Sequence, residues 1–339
     1  MILHLLSNWV FPVLRIFAAG ALSLATLLGS ALARADVQLL TSIKPLQLIA
    51  AAVQDGVGTP DVLLPPGATP HQYALRPSDI RRVGNADLFY WVGPELETFL
   101  PRVLADRKLP SVAVKDLPGM QLRYFGEGEE AAHAHEDEHA HAHEDEHEHE
   151  HEHEHEHEHH DHDHRPGSLD AHLWLLPANA EVIAARMAAD LTALDPANGD
   201  KYAANLQAFK VSVEALDVTL RGQIEPIKHA PYFVFHEGYD YFEAAYGIKH
   251  AGVFSALSEV QPGARHVAAM RKQLEQAGPT CVFTEPPLRP RLADTLTEGL
   301  PVKVMELDPM GNGLAVNAQG YTTLLANLGK NLSGCLGGL

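Results

Sequence analysis

The chain has 339 residues, 46% of them hydrophobic and 20% charged, with a formal net charge of −19. Fourteen of its acidic residues, and no Lys or Arg, lie in one tract from His133 to His164, so the rest of the chain carries only about −5. That balance excludes nucleic acid as a partner and describes a folded protein with one unusual insert.

The first elements are a targeting segment. Arg15 precedes IFAAGALSLATLLGSALA, which closes on Ala33-Arg34-Ala35 ahead of Asp36, the pattern of a cleaved signal peptide over 1–35. No second long apolar run follows and no Cys stands at the cleavage point, so a freely diffusing periplasmic protein of 304 residues is expected. That length suits two cores better than one.

VQLLTSI, PDVLLPP and ADLFYWVG then read as short buried strands, with KPLQLIAAAVQDGV and RPSDIRRVGNA between them as helices. This is the rhythm of βαβ units and a parallel sheet, in which binding groups gather at the carboxyl ends of strands. His71, in LLPPGATPHQYALRPSD, follows a strand and a Pro/Gly turn and is a candidate of that kind.

The tract itself reads HAHEDEHAHAHEDEHEHEHEHEHEHEHHDHDH. So much charge without an apolar residue cannot offset the entropy of ordering, so a disordered loop over 127–167 is expected. Neutral imidazoles suit zinc, copper and nickel, which makes the tract a weak, proton-sensitive, multi-site metal binder, with an inert acidic linker as the alternative. Tight selectivity requires a second, rigid site elsewhere.

Beyond the tract, His172 lies in SLDAHLWLLP two residues after Asp170, a spacing that lets the carboxylate hold the second ring nitrogen of a metal-binding imidazole. Helical patterns cover Ala178–Leu194 and Asn198–Ile224, with Pro196 between them. The second, capped by Asn198 or Asp200, keeps Tyr202, Leu206, Phe209, Val213, Leu216 and Leu220 near one face; it would run about 40 Å, enough to span two lobes. The strand pattern restarts with YFVFH, AGVFSALSE, TCVFTEPP and VKVMELDP, separated by the helices VAAMRKQLEQAG and LADTLTEGL. His236 ends the first of these strands and Asp308 the last. Cys281 and Cys335 can pair in only one way, and an oxidising compartment favours that pairing.

The motifs PPGATPHQYALRPSD, DAHLWLLP, FVFHEGYDYFEAAYGI, EVQPGARHV, TCVFTEPPLRP and LDPMG together resemble the zinc-binding periplasmic proteins that serve ABC-type zinc importers. The resemblance spans essentially the whole mature chain, the His-rich loop and the Cys pair included. It implies an α/β fold of two lobes, each a parallel-type sheet flanked by helices, joined by one long rigid helix. The corresponding boundaries are an N-terminal lobe over 36–197, a linking helix over 198–225 and a C-terminal lobe over 226–339. It implies Zn2+ held by His71, His172 and His236, and a monomer that docks on an ABC-type zinc permease of the inner membrane. For the fourth ligand, Pro70 stands where some relatives carry a glutamate, so Asp308 or a water is expected. Three nitrogens and one oxygen suit tetrahedral zinc better than manganese.

Two other classes fit the same residues. A zinc hydrolase would use Glu237, Glu259 or Glu285 as base, and a zinc buffer or chaperone would act through the tract alone. His229, His250 and His266 are expected to face solvent, and Trp174, Tyr239, Tyr241 and Phe242 to build core or cleft wall.

Overall fold

Among the described residues, eight short strands, rich in Leu, Val, Phe and Tyr, assemble into two separate four-stranded sheets in which every pair is parallel. The computed structural model describes residues 36–126, 167–255, 263–287 and 291–339; the signal-peptide segment 1–35, the tract 133–164 and Glu259 lie outside them. In the first sheet β1 (Leu39–Thr41), β2 (Asp61–Val62), β3 (Leu88–Trp91) and β4 (Ser111–Ala113) stand in the order β2-β1-β3-β4. All four residues of β3 are buried, as a strand covered on both faces must be. The second sheet, with β5 (Tyr232–His236), β6 (Gly252–Ser255), β7 (Thr280–Thr284) and β8 (Val302–Glu306), has the order β6-β5-β7-β8.

The connecting helices are α1 (Lys44–Val53), α2 (Pro77–Asn85) and α3 (Pro101–Ala105) around the first sheet, and α6 (Asp240–Tyr246), α7 (Ala264–Ala277) and α8 (Arg291–Thr297) around the second. Pro77 opens α2 where its missing N–H costs nothing, and Asp79 accepts the Arg76 N–H at 2.9 Å to close that turn.

In the chain between the two sheets come α4 (Pro177–Leu194) and the 26-residue α5 (Gly199–Ile224), separated by one turn of 3-10 helix over Pro196–Asn198. Asn198 precedes α5 without a side-chain capping bond. The junction is instead gathered by Asp195, whose carboxylate accepts from Asn198 Nδ2 at 2.6 Å and Tyr202 Oη at 3.1 Å. On α5, Tyr202, Phe209, Val213 and Leu220 are buried as their spacing foretold, whereas Leu206 and Leu216 are half-buried. Asn205 joins the buried face because its amide donates to the Val53 and Asp55 carbonyls at the end of α1.

The last helix, α9 (Gly320–Leu336), packs on α1, α5 and β8, and so reaches elements associated with both sheets. A Cβ at Gly329 would collide with Leu220 Cδ2 and one at Gly320 would meet Leu48 Cδ2 at 2.6 Å, so glycine is what allows this approach. A disulfide from Cys335 on α9 to Cys281 on β7 ties the helix to the second sheet. One buried apolar cluster runs continuously from β1 to α9, and a smaller one (Phe233, Phe235, Phe254, Met270, Leu274, Val282, Ala293, Leu296) lies between β5–β7 and helices α7 and α8. No helix among the described residues is long and apolar enough to cross a membrane.

Candidate metal centre

His71 arrives from the first sheet. Leu63 and Leu64 prolong β2 by donating to the Thr41 and Ser42 carbonyls, and Pro65 and Pro66 then lead into a turn at Gly67, whose φ of +76° favours glycine. The loop that follows buries His71 to 6% exposure, although it belongs to no regular element.

His172 is delivered by a clasp. Tyr124 and Leu169 form an antiparallel bridge, flanked by hydrogen bonds from Phe125 N to Ser168 O, Gly167 N to Phe125 O and Asp170 N to Arg123 O. The chain segments on either side of the tract therefore lie side by side. Asp170, 1% exposed, accepts from both the backbone N–H of His172 (2.9 Å) and its Nδ1 (2.8 Å). Tyr241 Oη fastens the other side of that corner by donating to the Asp170 carbonyl.

His236 ends β5 in register with Ser255, at the carboxyl edge of the second sheet. Its Nδ1 lies 3.0 Å from Glu285 Oε1, which also accepts from Tyr239 Oη at 2.9 Å. Burial pushes the Glu285 carboxyl up, but the facing His236 and the hydrogen bonds from His236 and Tyr239 outweigh it, so the group lies below the usual carboxylate range and stays ionised. A carboxylate only accepts, so Nδ1 carries the hydrogen in both His172 and His236, which leaves Nε2 of each with its lone pair.

The three rings converge. Their centroids are 5.5 Å apart for His71 and His172, 5.4 Å for His71 and His236, and 4.9 Å for His172 and His236, and one ring nitrogen from each lies within 4.8 Å of the others. Gly238 makes this possible, because a Cβ there would sit 3.0 Å from both His172 Nε2 and His236 Cε1. Trp174 flanks His172 at 5.3 Å and donates its Nε1–H to the Pro309 carbonyl. The cavity at the triad is about 70 Å3, walled by Phe235, Pro286, Pro287 and Met310. Sites for organic ligands run from about 300 Å3 upward, so this one is sized for an ion.

The structure does not bring Asp308 into this group. Its Oδ1 accepts from the backbone of Met310 and Gly311, and its Oδ2 from the backbone of Asn312, so the carboxylate caps its own turn. A strand-end aspartate offers the same side chain to either task, and the three N–H groups nearby decide which one it performs here. Burial pushes its carboxyl up against the pull of those donors. Of the candidate bases, Glu285 supports His236, and Glu237 is raised by burial and by Asp240.

His266 and His229 are exposed, but His250 is buried, 2.8 Å from Glu243 Oε1, because that carboxylate also takes its backbone N–H. Asp240, Glu243 and His250 also group within 4.8 Å, yet Lys249 Nζ already stands 2.6 Å from Asp240 Oδ1 and supplies the positive charge. Residue-by-residue reading missed Gly238 and Asn312; the only signal for Gly238 was its position two residues after His236.

Residues 39–335 match the family model described as "ZnuA: Zinc-uptake complex component A periplasmic". The high-affinity zinc uptake system protein ZnuA of Yersinia pestis is 37% identical over 324 residues, covering 93% of this chain and 96% of that protein. The protein of the same name from Paracoccus denitrificans is 42% identical over 323 residues, covering 94% and 98%. A crystal structure of ZnuA matches with a TM-score of 0.69 at 20% identity, over 89% of this chain and 100% of that one, a likeness of fold.

Proposed function

We propose, for a chain that belongs to the ZnuA family of periplasmic zinc-uptake components, that His71, His172 and His236 capture Zn2+ and that the protein delivers it to an ABC-type permease of the inner membrane. The observation that carries this is the convergence of three buried imidazoles, two of them backed by carboxylates. Nitrogen donors at about 2.0–2.1 Å suit zinc, whereas manganese favours more oxygens. With Asp308 committed to its turn, a water completes the tetrahedron. The protein is a carrier rather than an enzyme: Glu285 is occupied by His236 and Tyr239, and the cavity of about 70 Å3 is sized for an ion.

In this reading 36–197 and 226–339 act as lobes joined by 198–225, with α9 as a second tie between them. Only small lobe movements follow, and zinc leaves by rearrangement of the loop around His71. The mature protein is monomeric in the periplasm, and the tract raises the local zinc concentration.

Competitive zinc titration of the whole chain and of a chain lacking 133–164 tests the proposal. One tight site is expected to survive removal of the tract and to be lost on His71→Ala, His172→Ala or His236→Ala, by more than the about hundredfold that outer-shell losses reach. Loss of tight binding with the tract would establish a buffer acting through the tract alone, and zinc-dependent turnover abolished by His236→Ala would establish a hydrolase.

A further inference from the structure

We propose that Asn312 is a positioning residue for the metal centre: its side chain latches the loop that carries His71 to the opposite wall of the cleft, and breaking that latch speeds metal release without removing a ligand. The proposal rests on the zinc-carrier reading above. Gly67 N–H donates to Asn312 Oδ1 at 3.2 Å, joining residues 245 positions apart. The orientation of the amide follows from its surroundings. Asn312 Nδ2 faces two acceptors, Asp308 Oδ1 at 3.1 Å and Pro286 O at 3.3 Å, so Oδ1 is the atom turned to Gly67.

The stand beneath the latch is rigid. Asp308 collects the N–H groups of Met310, Gly311 and Asn312, and Trp174 Nε1 holds the Pro309 carbonyl of the same turn. Asp308 thus acts on the centre through Asn312. The loop is built to meet this stand, because a Cβ on Gly67 would lie 3.0 Å from Pro287 Cγ, and the backbone comes that close only without a side chain. From Gly67 the chain reaches His71 through a turn closed by Ala68 N to Pro65 O, and His71 N–H then donates to Thr69 Oγ1 at 3.2 Å. Movement of Gly67 is therefore transmitted to His71 within four residues. His172 and His236 are held by Asp170 and Glu285, so the latch at Asn312 acts on His71 rather than on either of them.

The test uses the full chain carrying Trp9→Phe and Trp91→Phe, so that emission comes from Trp174 beside His172 and not from the tract, which contains no Trp. Zinc-loaded parent, Asn312→Ala and the control Asn331→Ala, whose amide donates to the Glu306 carbonyl, are mixed with excess chelator in a stopped-flow experiment. Backbone hydrogen exchange over 65–71 is followed in the metal-free proteins. The expected result is zinc loss about threefold to tenfold faster in Asn312→Ala, the range of one hydrogen bond, with association unchanged, faster exchange over 65–71, and a silent control. Unchanged dissociation or unchanged exchange in Asn312→Ala overturns the latch. A parent chain with no zinc response at Trp174 sinks the carrier reading instead, and the exchange measurement still decides the latch. Should Asn312→Ala fail to fold, the parent alone suffices: a Gly67 amide that exchanges as fast as an exposed loop amide overturns the proposal.

Discussion

Glu285→Gln isolates what a buried negative charge contributes to the zinc site without altering its shape. In the wild-type protein Glu285 Oε1 receives Nδ1–H of His236 at 3.0 Å and Oη–H of Tyr239 at 2.9 Å, and the two side chains of the pair are 15% and 4% exposed, so solvent screens the contact little. A hydrogen bond to a charged acceptor contributes about 1.5–3 kcal/mol, against about 1 kcal/mol for a neutral one. A glutamine oxygen in the same place keeps the tautomer of His236 but loses the difference, about 0.5–2 kcal/mol, which is about twofold to thirtyfold in zinc affinity. Outer-shell losses at metal sites span about tenfold to hundredfold, so the two routes overlap between about tenfold and thirtyfold. Competition against a chelator of known affinity, read through Trp174 emission, measures the change, with thermal unfolding of the metal-free protein as the check on folding. Affinity unchanged from wild type, in a measurement finer than the about twofold floor derived above, would refute the claim that the carboxylate raises the basicity of His236.

Gly238→Ala places a methyl 3.0 Å from His172 Nε2 and His236 Cε1, so zinc affinity is expected to fall by more than about tenfold while circular dichroism of the metal-free protein is unchanged. Glu97 is fully buried, and although Ser42 Oγ and the N–H groups of Val92 and Gly93 donate to it, burial dominates and pushes its carboxyl up from 4.5 to about 7. Below pH 4.5 both folded and unfolded chains hold that proton; as pH rises to 7 the unfolded chain releases it first, so stability falls by up to about 3 kcal/mol. Urea denaturation between pH 4.5 and 7.5 is expected to show this fall in the wild type and a flatter profile in Glu97→Gln. Replacing Cys281 and Cys335 with Ser opens a bridge between residues 54 apart and is expected to lower unfolding free energy by about 4 kcal/mol, visible as a lower urea midpoint.

The parallel rhythm of both sheets was legible because strands such as LFYW and TCVFT are short apolar runs bounded by turn residues, a pattern few other elements imitate. The three histidines were individually ambiguous, and only the surrounding motifs singled them out. Helix α9 was not legible: glycines are poor helix formers, yet Gly320 and Gly329 are where Leu48 and Leu220 come too near for a side chain. His250 was misread, and the turn that Asp308 closes was not foreseen, for one shared reason. A polar side chain after a strand or helix takes its role from backbone N–H groups and carboxylates that only the folded chain brings near, as the turn at Met310–Asn312 does for Asp308 and Glu243 does for His250.

The clasp at Arg123–Phe125 and Gly167–Asp170 has a consequence for how such a chain can change over time. Because the two stems of the insertion are already hydrogen-bonded to each other, adding or deleting His-Glu pairs between them leaves the span they must bridge unaltered. The appendage can therefore lengthen, shrink or vanish as metal supply dictates, while the corner that aims His172 keeps its geometry.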